Sequence, residues 1–112
     1  MPRLQLGRRT SASRSARPAA SVAVRWTASA RSDLVRLHEF LAPVNPRAAA
    51  LTVRHLVAGV GRIPAHPRIG QRLRQFAPRE VRRVVLGDYE IRYELAGPDV
   101  FVLRIFHTRE DR

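Results

Sequence analysis

The chain has 112 residues, no cysteine and a formal net charge of +12, and its 21 basic residues are all arginine. That length holds one domain with a modest core and excludes separate cofactor and substrate domains. Disulfides and thiolate metal sites are excluded, no apolar run approaches the roughly 20 residues of a membrane span, and so large a cationic excess favours polyanions or an acidic protein partner.

Residues 1–20 carry Arg3, Arg8, Arg9, Arg14 and Arg17 among Ser, Ala and Pro, with no acid and no apolar period. This segment reads as a disordered extension, with the composition of a transit peptide, a basic arm for nucleic acid or an unselected leader. The remaining stretch, 21–112, keeps 16 of the 21 arginines against nine acids and is basic by itself. Exclusive arginine usage is also what a GC-rich genome produces. Its consequence is physical all the same: a guanidinium grips phosphate or carboxylate with two donors and stays protonated, which makes it a poor general base.

Val22, Val24 and Trp26 alternate with Ala23 and Arg25, predicting a first strand with Trp26 as a core anchor under the helix that follows. Thr27 or Ser29 can cap that helix. Ala30, Leu34, Leu37 and Leu41 recur on one helical face. Pro43 and Pro46 interrupt the chain; Asn45 is an N-cap with Pro46 at the first helical position. A second helix is expected from Pro46 to about Arg62, burying Ala49, Val53, Leu56, Val60 and Ile63, with Gly59 and Gly61 weakening its end. The proline-containing link makes the two helices an antiparallel hairpin.

His66 to Gly70 is a turn segment, and Gln71 to Pro78 is either a connector or a short strand. Three antiparallel strands then follow, with turns at Gly87-Asp88 and at Ala96 to Asp99. Tyr89, Ile91, Tyr93 and Leu95 alternate with Glu90, Arg92 and Glu94, predicting one apolar and one charged face. The order is β-α-α-β-β-β. A helical hairpin packed on a small, mostly antiparallel twisted sheet is an α+β layer architecture.

Several of these pieces together resemble a family. Trp26-Thr27 ends strand one, Asp33-Leu34 lies early in helix one, and Asn45-Pro46 with Ala48-Ala49 opens helix two. Pro67 to Gly70, the run Arg82 to Tyr93, and Leu103 to His107 follow. In this order and spacing they resemble the RelE/ParE superfamily of bacterial type II toxins, more closely its ParE-like branch. The likeness covers about 22–111. It implies a cytoplasmic toxin that inhibits growth, is linked to plasmid stabilisation, and is neutralised by a cognate acidic antitoxin. Two targets occur in the superfamily, DNA gyrase in the ParE branch and messenger RNA on the ribosome in the RelE branch.

Cleaving RNA through the 2′-hydroxyl needs a base, an acid and cations at the phosphate. Against the pattern that the resemblance implies for nucleases, Arg83 and Arg109 match. Val81 replaces a basic group, Glu90 replaces an arginine and would repel the scissile phosphate, and the terminal tyrosine is missing. The expectation is therefore a gyrase inhibitor without catalytic residues, cofactor or small-molecule substrate. Its target-binding surface is expected to combine Arg79, Arg82 and Arg83 with Arg104, His107 and Arg109, and Arg72 and Arg74 add to that region. The alternative is a ribosome-dependent ribonuclease using Arg83, His107 and Arg109, with His107 as acid or base. His38, His55, His66 and His107 lie too far apart, with no i,i+4 pair, to suggest a metal site. His38 and His55 read as helix-face residues.

Overall fold

The computed structural model describes residues 23–109. The expected extension at 1–20 and the position of Val22 lie outside them.

Strand β1 (Ala23–Trp26) runs into Thr27, whose hydroxyl accepts from the Ala30 amide and caps helix α1 (Ala28–Leu41). Thr27 rather than Ser29 takes this role because it alone precedes the first helical residue. Asn45 caps helix α2 (Pro46–Gly61) by accepting from the Ala48 amide, with proline at the start of the first turn. The apolar stripes fall as their periods require. Ala30, Ala49, Leu56, Val60 and the following Ile63 are buried, Leu34 and Leu37 pack against the core from α1, and Val53, expected in the buried stripe, is half-buried, as is Leu41.

Beyond α2 the chain forms a short strand β2 (Gln71–Arg72), then β3 (Glu80–Leu86), β4 (Tyr89–Ala96) and β5 (Asp99–His107). The ambiguous stretch after Gly70 is thus part strand, and the sheet has one more strand than the β-α-α-β-β-β reading. Its order is β1-β5-β4-β3-β2, with β1 parallel to β5 and all other pairs antiparallel. Two hairpins are closed by Gly87 at φ 61° and Gly97 at φ 58°. Both lie in the left-handed region that glycine enters without strain, as primed two-residue turns require.

One face of the sheet lies under the helices. Ile91, Tyr93, Val100, Val102 and Ile105 are each at most 4% exposed there, and each such burial contributes about 1.5–3 kcal/mol. Trp26 is partly buried against this cluster. Val100, Val102 and Ile105 share the face although their spacing breaks strand parity. A bulge between Arg92/Tyr93 on β4 and their β5 partners leaves Leu103 as the extra residue. Thr27 anchors it: the hydroxyl donates to the carbonyls of Val102 (2.8 Å) and Leu103 (3.2 Å).

The opposite, outer face holds two buried side chains, and one of them departs from expectation. Val81 is fully buried there, opposite Glu94. Glu90, expected in a solvent-facing row, is 1% exposed. It sits between its cross-strand neighbours Val85 and Phe106, with two arginine side chains closing over its carboxylate.

Candidate functional site

The outer face carries the strongest concentration of charge. Strand register aligns Arg83 of β3, Arg92 of β4 and Arg104 of β5 directly across the sheet. Neighbouring strands lie about 4.8 Å apart, so three guanidinium stems leave the backbone within about 10 Å. Like charges placed directly opposite one another destabilise a sheet, and the carboxylates set among them offset this. Arg83 Nη1 donates to Glu90 Oε1 and Arg92 Nη2 to Glu90 Oε2, each at 3.2 Å. Arg104 Nε donates to Asp33 Oδ2 at 2.9 Å.

These ion pairs are lopsided. The Glu90 and Asp33 side chains are 2% exposed, whereas those of Arg83 and Arg104 are 38% and 44% exposed. The negative charges are enclosed and Arg83 and Arg104 face water, while Arg92 between them is 21% exposed. Aromatic rings border the row: the Arg92 guanidinium lies 5.8 Å from the Phe76 ring centre and 5.1 Å from that of Phe106. Arg104 also stands over Phe106, at 5.1 Å. Arg79, from the turn before β3, reaches the same face and grips Glu94 with Nε and Nη2 at 3.1 and 2.8 Å.

Asp33 does more than neutralise. Its Oδ2 also accepts from the backbone N–H of Ile105 at 2.8 Å, on the β5 edge that β1 leaves open after Val102. Arg36, one turn along α1, donates to Oδ1. Burial pushes this carboxyl up, but Arg104, the Ile105 N–H and Arg36 together outweigh it and hold its pKa below the ordinary value.

The expected site residues do not share one surface. Arg79, Arg83 and Arg104 belong to the outer face without touching one another: Arg79 holds Glu94, Arg83 holds Glu90, and Arg104 reaches Asp33 of α1. Arg82 pairs in register with Tyr93 and therefore points to the helix side. It is largely enclosed, donating to Glu80 Oε2 at 2.9 Å and to the Gly70 carbonyl at 2.7 Å. It fastens the 66–70 turn. Tyr93 shares that role: the hydroxyl accepts from the Gly70 amide at 2.9 Å and donates to the Pro67 carbonyl at 2.7 Å. Arg92 is not among the site residues expected from the sequence. The signal for it is the alternation itself, which places Arg92 on the outer face one strand from Arg83.

His107 also lies on the helix side. Its ring meets Tyr89 edge-on, with centres 5.2 Å apart and planes at 83°, and its Nδ1 accepts from the Arg109 amide at 3.1 Å. Arg109 is exposed at the end of β5, where the Thr108 amide donates to the Asp88 carbonyl at 2.8 Å. His107 thus faces a cleft of about 860 Å³ between α1 and the β5 edge, lined by Leu37, Phe40, Tyr89 and Ile105 together with Asp33 and Arg36. At the α1 end of the molecule Phe40 and Val44 are 80% and 88% exposed.

Among the described residues no group of three His, Cys, Asp or Glu side chains could hold a metal ion, and no helix is long and apolar enough to cross a membrane. His38 and His55 are exposed on their helices.

Residues 24–112 match the family model for the ParE toxin of the type II toxin–antitoxin system parDE. The fold is similar to a structure of the chromosomal ParDE system from P. aeruginosa (TM-score 0.68, 21% identity), covering 79% of this chain and 97% of that one. A second similar structure is the RelBE2 toxin–antitoxin complex from Mycobacterium tuberculosis (TM-score 0.48, 30% identity), covering 76% of this chain and 95% of that one. Comparison with curated protein sequences gives no match. The matched region includes every described strand and helix from Val24 onward, and the chain belongs to the ParE toxin family of type II toxin–antitoxin systems.

Proposed function

We propose that this toxin arrests growth by protein contact with DNA gyrase, without cutting RNA, and that an acidic antitoxin neutralises it. The observation that carries the non-nucleolytic reading is the separation of the groups RNA cleavage would need. Arg83 is on the outer face, bound to a buried carboxylate, while His107 looks into the cleft on the other side of the sheet. A general acid or base must come within hydrogen-bond reach of the proton it moves, and one phosphodiester cannot touch both residues. Glu90 adds a negative charge where a phosphate would lie. The family match supports the gyrase target; the geometry supports the absence of nuclease chemistry.

The cleft suits the antitoxin. It offers an apolar floor at Leu37, Phe40 and Ile105 beside the open β5 edge, the combination that an amphipathic helix or an added strand uses. Arg36, 62% exposed at the cleft, would meet an acidic residue of the antitoxin, and Glu39 and Asp88 on the lining would meet a basic one.

Two variants test this reading in cells. Arg83→Gln and His107→Ala are expressed beside the wild-type toxin while transcripts are mapped for cuts on translating ribosomes. Growth arrest with intact transcripts in all three is the expected result. Codon-specific cleavage by the wild type that disappears in His107→Ala would replace this proposal with the ribonuclease reading.

A further inference from the structure

Almost every acid of this protein holds an arginine. Among the described residues Asp33, Glu80, Glu90, Glu94 and Asp99 each form an ion pair with a guanidinium. Glu39 and Asp88 form none. They come from distant parts of the chain, the last turn of α1 and the turn between β3 and β4, and both line the cleft beside β5. The fold gains little from either carboxylate. In the last turn of a helix a negative charge faces the negative end of the dipole. Asp88 suits its turn as Asn or Gly also would, and its link to Thr108 is made by the backbone carbonyl. Both residues are exposed, so water solvates their carboxylates while the cleft is open.

Covering the cleft changes this. Its floor of Leu37, Phe40 and Ile105 draws apolar side chains, and a segment laid on that floor takes water from both carboxylates. A carboxylate that loses water without gaining a donor raises the free energy of the complex. The cations already at the cleft do not supply one: Arg36 donates to Asp33, and His107 Nδ1 accepts from the Arg109 amide. We infer that Glu39 and Asp88 select a lysine or arginine in the antitoxin segment that fills the cleft, and that this contact sets the register and the choice of partner. The inference rests on the cleft being the antitoxin's seat. A net charge of +12 draws an acidic chain from a distance but does not tell one alignment from another. Two carboxylates inside that cationic field do, because they accept a basic residue at one point of the segment and repel an acidic one.

The test measures binding of the full-length toxin to its purified antitoxin by calorimetry. E39Q/D88N removes two negative charges from a cationic protein. If net charge alone governs the complex, this variant binds an acidic antitoxin more tightly than wild type. The inference predicts the opposite sign, a several-fold loss. In E39R/D88R like charges face each other, and the loss should reach roughly tenfold or more. Tm should stay at the wild-type value, since neither carboxylate holds a contact of the fold; if a double variant does not fold, E39Q and D88N serve singly. Each lysine and arginine of the antitoxin is then replaced in turn by glutamate. One such replacement should weaken binding to the wild-type toxin and restore binding to E39R/D88R. F40S separates the inference from the reading beneath it. Affinity lost in F40S but unchanged or raised in E39Q/D88N would leave the antitoxin in the cleft and overturn the selection of a basic residue. Affinity unchanged in both would place the antitoxin elsewhere and overturn reading and inference together. A charge-reversed toxin that no antitoxin replacement restores would also overturn the inference.

Discussion

Asp33 is the residue whose replacement probes the architecture most sharply. It is 3% exposed, and its two oxygens accept from Arg104, Arg36 and the Ile105 backbone. Asp33→Asn keeps the volume and one carbonyl oxygen for Ile105. It replaces the other acceptor by an amide N–H₂ that faces a guanidinium and removes the charge. A hydrogen bond to a charged group contributes about 1.5–3 kcal/mol. The arginines are half in water, which screens their share. A net loss of about 2 kcal/mol is therefore expected, or a drop in Tm of roughly 8–16 °C for a domain of this size.

The sign of the pH dependence follows from the lowered carboxyl pKa. The unfolded chain binds the proton more readily, so the stability that Asp33 contributes is fully present above its unfolded pKa. It is lost as pH falls through the folded value. Urea unfolding of wild type and Asp33→Asn from neutral pH downward measures the difference directly. It should be largest near neutrality and shrink in acid. A gap below about 0.5 kcal/mol, the ordinary scatter of surface substitutions, or one that does not change with pH would refute the reasoning. A double-mutant cycle with Arg104→Gln then isolates the pair itself.

Three further substitutions each probe one feature. Tyr93→Phe removes the hydroxyl that joins the Gly70 amide to the Pro67 carbonyl. It should cost about 1–3 kcal/mol by leaving buried polar groups unpaired, and amide exchange in the 66–70 turn should quicken; an unchanged exchange rate there would contradict the assignment. Thr27→Val removes both the α1 cap and the anchor of the β5 bulge. A loss of about 1–2 kcal/mol is expected from the cap alone, and thermal melts that coincide with wild type would show that neither interaction matters. Phe40→Glu places a charge on an exposed residue that lines the cleft and should weaken antitoxin binding at least tenfold in calorimetry without lowering Tm. Undiminished affinity would move the antitoxin elsewhere.

Much of this fold is legible in the sequence because its signals are local. Both N-cap residues, the two apolar helical stripes and the glycine turns each depend on a few neighbouring residues. The order of elements and the family resemblance follow from them. What stays hidden depends on neighbours distant in sequence. Glu90 alternates with apolar residues as a solvent-facing side chain would. It is buried because Val85 and Phe106 flank it and Arg83 and Arg92 close over it, from strands whose register no local pattern reveals. The β5 bulge leaves a trace in the broken parity of Val100, Val102 and Ile105, a shift that only the pairing with β4 makes unambiguous. Gly59 reads as a weak point of α2. A Cβ there would come within 2.6 Å of Leu86 Cδ1, so the residue marks a close approach of helix to sheet.

The site is legible in composition more than in geometry. A cluster of Arg79, Arg82 and Arg83 in sequence is divided by strand alternation, which sends Arg82 inward to fasten a turn and leaves its neighbours outside. Arg104 and His107 belong to one strand and to opposite faces, because they stand an odd number of residues apart beyond the bulge. Arg92 joins the outer face from the middle strand.

Gyrase-driven supercoiling of a relaxed plasmid in the presence of the purified toxin separates the two targets. A gyrase inhibitor abolishes supercoiling and accumulates cleaved plasmid, reversibly by the antitoxin, while message on translating ribosomes stays whole. Supercoiling that proceeds undisturbed at toxin concentrations sufficient to arrest translation by cutting message would contradict the gyrase reading.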